Sequence, residues 1–200
     1  MFIIGRSMTT KNLPKRAKPA VFLDRDGTII VEKGYISNPD DVEFIAGAAE
    51  AIKILNAAGY LVVVVSNQSG VARGFFTEDD VKRVNERMLE LLSQLGAHVD
   101  AVYYCPHHRD GVVPEYAIDC ECRKPGLGMI KKAALELGAY PIAVVGDREA
   151  DVKLAVNASV PGILVLTGYG ERQPDEVKSM AAFIAADLLE AAIWIEERFG

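Results

Sequence analysis

The sequence predicts an α/β fold built on a doubly wound, Rossmann-like sheet of parallel strands. Three observations carry that expectation. Apolar, β-branched runs recur at residues 20–24, 60–66, 99–104, 142–146 and 162–166, and each reads as a strand buried on both faces. Segments with helical apolar spacing, at 47–58, 77–95, 126–137, 149–157 and 187–199, alternate with them as right-handed βαβ units require. Polar side chains suited to chemistry stand where the runs end, and open parallel sheets bind ligands at the carboxyl ends of their strands.

The elements follow in order. Residues 1–19 are basic, poorly periodic and interrupted by Pro14 and Pro19, so a loose tail is expected ahead of a single domain over 20–200. Thr77 precedes Glu78, Asp79 and Asp80, a capping hydroxyl with acidic residues at the positive end of the helix dipole. Gly59, Gly96 and Gly138 follow three of the helices, where a left-handed stop residue belongs. Residues 105–125 read as an ordered insertion loop, because they hold all 3 cysteines of the chain. No internal repeat is visible.

Composition narrows the function. Half of the 200 residues are hydrophobic, enough for one sizeable core and incompatible with a disordered or fibrous chain. A net charge of −6 argues against nucleic acid as a partner, while leaving room for a local basic pocket. No run approaches the roughly 18 apolar residues of a membrane span, and residues 1–4 are too short for a secretory core segment. A cytoplasmic monomer is expected.

The strand ends are of one chemical kind. The first run closes in Asp24-Arg25-Asp26-Gly27-Thr28, the second in Ser66-Asn67-Gln68-Ser69-Gly70, and the fourth in Gly146-Asp147 with Asp151 following. Carboxylates and a hydroxyl-amide loop therefore converge on one edge, and such hard oxygen ligands suit Mg²⁺ with a substrate phosphate. Asp and Asn also favour turns after strands, a reading that suffices for any one loop and fails for all of them together. Arg73 follows the second loop and can reach a second phosphate or serve as an ordinary surface arginine.

A second constellation is Cys105-x-His107 with Cys120-x-Cys122, two pairs separated by 12 residues. Three thiolates and an imidazole make a closed, tetrahedral, structural zinc site. A disulfide between two of the cysteines, or an inert loop, are the alternatives, and His108 is a competing imidazole. His98 reads as a surface or capping residue, Trp194 as a core residue of the last helix, and Lys131, Lys132, Glu196, Glu197 and Arg198 as solvated faces.

Asp24-Arg25-Asp26-Gly27-Thr28 after an apolar strand resembles motif one, DxDGT, of the haloacid-dehalogenase (HAD) phosphohydrolases. Ser66 matches motif two, Lys124 motif three, and Gly146-Asp147 with Asp151 motif four. Residues 32–35, 66–74, 105–108 and 120–125 further resemble the family of heptose-bisphosphate and histidinol-phosphate phosphatases, and the match runs over about 20–168. The resemblance implies that Asp24 is the nucleophile and Asp26 the general acid and base, with Ser66 and Lys124 holding the phosphoryl oxygens. It implies Mg²⁺ on the Asp24 carboxylate, the Asp26 carbonyl and the Asp147 carboxylate, and zinc on Cys105, His107, Cys120 and Cys122. It assigns substrate contacts to Glu32, Lys33, Gly34 and Tyr35, to Asn67, Gln68 and Ser69, and to Arg123, with Arg73 beside them.

The implied activity is Mg²⁺-dependent hydrolysis of a small phosphorylated metabolite, a heptose 1,7-bisphosphate on the way to a lipopolysaccharide or other glycan precursor, with histidinol phosphate as the alternative. Residues 27–46 hold only a short flap and the later interval only the zinc loop, so a capless HAD fold is expected. Two other classes stay in view. A non-catalytic phospho-acceptor domain gathers similar residues but places its aspartate after the third strand, whereas Asp24 ends the first. A zinc-organised binding module would not need the intact acidic and basic set.

Overall fold

The computed structural model describes residues 17–200, and the expected tail over 1–16 lies outside the described residues. Six strands form one parallel sheet: β1 (Lys18–Leu23), β2 (Leu61–Asn67), β3 (Ala101–Cys105), β4 (Ala139–Gly146), β5 (Gly162–Val165) and β6 (Phe183–Ala185). Their spatial order is β3-β2-β1-β4-β5-β6. Six helices connect or follow them: α1 (Ala48–Ala57), α2 (Glu78–Gln94), α3 (Gly128–Leu137), α4 (Glu149–Ala158), α5 (Asp175–Met180) and α6 (Leu188–Phe199). All neighbouring strands run parallel, as the doubly wound α/β expectation requires.

Alternation along each strand builds two cores. Val21 and Leu23 of β1 pack with side chains of α1, α2 and α6, whereas Ala20 and Phe22 pack with those of α3 and α4. Fully burying one such aliphatic or aromatic side chain contributes about 1.5–3 kcal/mol, so both faces hold the central strands and fix where their ends emerge. Thr77 caps α2 as expected, its Oγ1 accepting from the Asp80 amide 3.2 Å away while the Asp80 carboxylate accepts from the Thr77 amide at 2.8 Å. Gly59, Gly96 and Gly138 all take left-handed backbone after their helices.

Two expectations need correction. β1 begins at Lys18 and pairs Pro19 with Tyr140, so the last residues assigned to the tail belong to the sheet. Proline offers no ladder donor, and it is accommodated at the first rungs of β1 beside a register shift between Ala20 and Val21. The chain also forms β6 and α5, which the apolar pattern did not signal. Each is too short, at 3 and 6 residues, to show a period, and α5 starts behind Pro174.

Candidate active site

Three neighbouring strands, β2, β1 and β4, deliver the site. Asp24 leaves the end of β1, Ser66 is the last residue but one of β2, and Asp147 follows β4. Gly27 makes this convergence possible. Its φ is +81°, which L side chains adopt at a cost, and a Cβ there would overlap the Asp147 carboxylate. Thr167 donates to the Gly27 carbonyl at 2.6 Å and the Tyr169 amide donates to Asp147 Oδ2 at 2.8 Å, so the loop after β5 closes over the same carboxylate.

Lys124 is the hub. Its buried ammonium lies 2.8 Å from Asp24 Oδ1 and 2.6 Å from Asp151 Oδ1, and it donates to the Val65 carbonyl at 2.8 Å. Asn67 holds the Lys124 backbone from both sides, accepting its amide at 2.9 Å and donating to its carbonyl at 3.1 Å. Burial works against the charged lysine, but Asp151 and Asp24 outweigh it and hold its pKa above the ordinary value. Burial pushes Asp24 up to about 7, with Lys124 opposing and Asp151 and Asp26 reinforcing the rise. Burial and then the Asp24 charge push Asp147 up to about 8.

Lys124 pairs with Asp24 and Asp151, and the exposed Arg148 brings its Nε only to 3.8 Å from Asp147 Oδ1, so the negative charge of the three buried carboxylates is left undercompensated. Asp24, Asp147 and Asp151 each bring an oxygen within 4.8 Å of the others. Asp147 is 0 % exposed, yet its Oδ1 has no hydrogen-bond partner. An orphaned buried carboxylate oxygen beside two further carboxylates fits a divalent cation with hard-ligand preference. The Asp26 carboxylate takes no part in that cluster. It accepts from Arg25 Nε at 3.1 Å and Nη2 at 3.0 Å, and from Gln68 Nε2 at 2.8 Å. Gln68 also donates to Ser66 Oγ at 2.7 Å, which leaves the serine proton free for an anion.

A cavity of about 480 Å³ opens above this cluster, walled by the flap at Glu32, Gly34 and Tyr35, by Ser69, and by Arg123. Of the residues expected to contact substrate, two stand elsewhere. Lys33 does not line the cavity; it turns back along the flap to Glu43 Oε2 at 2.9 Å and the Asp41 carbonyl at 3.1 Å. Arg73 sits outside the lining, its Nη2 3.3 Å from His108 Nε2. Burial, Arg123 and Arg73 push the His108 pKa down, so this rim carries a positive field. Tyr35 keeps left-handed backbone, φ 47°, with its ring against Phe75 and Phe76.

Arg148 and Arg25 were missed in the sequence. Arg148 lines the cavity, meets Glu32 of the flap at 2.7 Å and stacks 4.0 Å over the Tyr169 ring. Its place directly after Asp147 was the available signal. Arg25 lies inside the first motif and is 1 % exposed, a burial that a charged residue flanked by two aspartates does not announce.

The zinc ligand set comes together at the carboxyl end of β3, on the same edge of the sheet. Sulfur atoms of Cys105, Cys120 and Cys122 lie 2.9–3.3 Å apart, and His107 Nδ1 is 3.4 Å from Cys122 Sγ. All three cysteines are free thiols, which removes the disulfide alternative. Four donors around one point fit a tetrahedral ion with no open position. His108 is absent from this set. Arg123 donates from Nη1 to the His107 carbonyl at 3.2 Å, and Tyr104 and Tyr116 both donate to Glu78 of α2, at 2.7 and 2.9 Å. The loop is therefore tied to the cavity wall and to a helix.

Comparison with known proteins agrees with this geometry. The model of the polynucleotide kinase 3 phosphatase family matches residues 19–158. D-glycero-beta-D-manno-heptose-1,7-bisphosphate 7-phosphatase of Pasteurella multocida is 45% identical over 154 residues, covering 76% of this chain and 83% of the relative. A protein of Mesorhizobium loti described as a HAD-like phosphatase superposes with a TM-score of 0.79 at 37% identity, over 96% of this chain and 92% of the other. D,D-heptose 1,7-bisphosphate phosphatase of B. bronchiseptica, solved with magnesium and phosphate, gives a TM-score of 0.75 at 30% identity, over 90% and 99% of the two chains. With its strand-end aspartates and capless sheet, the chain belongs to the HAD-like polynucleotide kinase 3 phosphatase family, among the heptose-1,7-bisphosphate 7-phosphatases.

Proposed function

We propose that the protein is a Mg²⁺-dependent phosphomonoesterase that removes the 7-phosphate of D-glycero-D-manno-heptose 1,7-bisphosphate through an aspartyl-phosphate intermediate. The observation that carries the reading is the cluster of Asp24, Asp151 and Lys124 at the floor of the cavity, with the carboxylate of Asp147 buried beside them. Mg²⁺ held by the Asp24 and Asp147 carboxylates and the Asp26 carbonyl would neutralise phosphate charge, which is the main barrier to attack by an anion.

The chain's own groups do the rest. An Asp24 oxygen attacks phosphorus; the new O–P bond forms as the ester P–O bond breaks, and Asp26 gives its proton to the departing sugar oxygen. Asp26, now a carboxylate, takes a proton from water as that water attacks phosphorus and the aspartyl P–O bond breaks. Ser66 and Lys124 hold the transferred phosphoryl oxygens throughout, Ser66 through the proton that Gln68 leaves free. Arg123, Arg148 and the flap at Glu32, Gly34 and Tyr35 orient the sugar and its remaining phosphate. The cavity takes a small molecule, and the net charge of −6 disfavours a polynucleotide.

Zinc is structural in this reading, with Cys105, His107, Cys120 and Cys122 as its ligands. The described residues contain no helix long and apolar enough to cross a membrane. A cytoplasmic location suits three thiols kept reduced for metal. Phosphate release with and without Mg²⁺, from both anomers of the bisphosphate, histidinol phosphate and a 3′-phosphorylated oligonucleotide, tests the function. The highest kcat/KM for the bisphosphate is expected; a higher value for either other class refutes the assignment.

A further inference from the structure

We propose that Asn85, in the interior of α2, is a positioning residue that sets the geometry of Asp26 through Arg25. The proposal rests on the reading of Asp26 as general acid and base. Asn85 is 7 % exposed and sits beside Val81, Val84, Met88 and Leu92 on the buried face of α2. An amide on such a stripe is unfavourable unless it is bonded. Every other buried polar or charged side chain among the described residues belongs to a strand end, loop or helix start at the site; Asn85 alone comes from mid-helix.

Its partner explains it. Arg25 Nη1 donates to Asn85 Oδ1 at 2.7 Å, while Nε and Nη2 of the same guanidinium donate to the two Asp26 oxygens. A planar guanidinium fixed at one edge by a carboxylate can still pivot about that edge. A third bond, from a rigid helix on the far side, stops the pivot and holds the plane. Asp26 then meets the leaving oxygen from one direction, and proton transfer is sensitive to displacements of this order. Asn85 touches neither substrate nor metal, and its effect passes through Arg25.

The test is a leaving-group comparison at saturating Mg²⁺. In Asn85→Leu, kcat/KM for the heptose bisphosphate and for glycerol phosphate, whose alkoxides need a proton, is expected to fall about tenfold. This parameter ends at departure of the leaving group and so excludes the later hydrolysis of the aspartyl phosphate, in which Asp26 serves every substrate as base. On p-nitrophenyl phosphate, whose leaving group needs none, kcat/KM should stay within about twofold of the parent. Asn85→Asp keeps an acceptor oxygen at the same place and should recover most of the lost kcat/KM. Arg25→Lys, which keeps the charge and loses the fork, should repeat the contrast and carries the test if Asn85→Leu does not fold. Equal losses on both substrate classes, or none, overturn the proposal. Asp26→Asn runs in parallel: if it lacks the contrast, the acid role of Asp26 has failed; if it shows the contrast and both Asn85→Leu and Arg25→Lys do not, the positioning role has failed.

Discussion

The carboxyl end of the sheet and the loop over residues 105–125 sit side by side and are held by different forces. Asp24, Ser66 and Asp147 ride on strands whose both faces are packed, so hydrophobic burial aims them. The loop has little apolar packing, Tyr116 against Val71, Phe76 and Val81 and Cys122 against the second core, and is held besides by backbone bonds from Val112 and Val113 to the Ala72 carbonyl, by four metal donors and by the Glu78 anchor. A packed scaffold should survive loss of its chemistry, and a metal-fixed loop should lose shape when its metal leaves. Substitutions at the two places are therefore expected to fail in different ways.

The largest effect is expected at the strand end. Asp24→Asn should lower turnover by more than about 10³-fold, with circular dichroism and melting behaviour retained, since the amide is a poor nucleophile and the packed strands remain. A variant within a few-fold of the parent rules out Asp24 as the nucleophile.

Next in size comes the pair that joins the two regions. Lys124→Ala removes the charge partner of Asp24 and Asp151 and should cut kcat/KM about 10²-fold or more on every substrate alike. Arg123→Ala should cost less and change the ratio between heptose bisphosphate and histidinol phosphate, as measured by kcat/KM on both. A uniform loss in Arg123→Ala would remove its recognition role.

Zinc removal is expected to act locally. Chelation, or Cys120→Ser, should raise amide exchange across residues 105–125 and weaken substrate binding, while the amides of β1, β2 and β4 stay protected. Metal analysis of protein purified without chelator should find about one zinc per chain. Uniform exchange throughout the sheet would show that the two regions are not independent.

The smallest effect concerns pH and the strand end alone. Burial raises Asp24 to about 7 and Asp147 to about 8 in the folded chain, above the ordinary value near 4 of the unfolded one. The folded chain therefore holds more protons between about pH 4 and pH 8, and stability falls as pH rises across that window. The melting temperature of Mg²⁺-free protein should be higher at pH 5.5 than at pH 8, and Mg²⁺ should recover more stability at pH 8. The opposite slope would place these carboxylates in a better compensated environment.

Much of this contrast was legible in the residues. The strand runs and the polar residues ending them mark the sheet edge, because buried parallel strands leave an unbroken apolar signature that stops where chemistry begins. Cys105, His107, Cys120 and Cys122 mark the loop by type and spacing. What escaped depends on direction and on short range. Lys33 lies in the flap yet turns to Glu43, a choice set by one nearby carboxylate. β6 and α5 are too brief to show periodicity. Arg25 and Asn85 are 60 residues apart in the chain, and only the packing of α2 against the sheet makes them partners.

The most direct measurement is rapid acid quench of the enzyme with 7-³²P-labelled heptose bisphosphate, followed by peptide mapping. The account predicts acid-stable, base-labile label on the peptide containing Asp24 in the parent, and none in Asp24→Asn. Turnover with no protein-bound label at any quench time, or label mapping to another carboxylate, would contradict it.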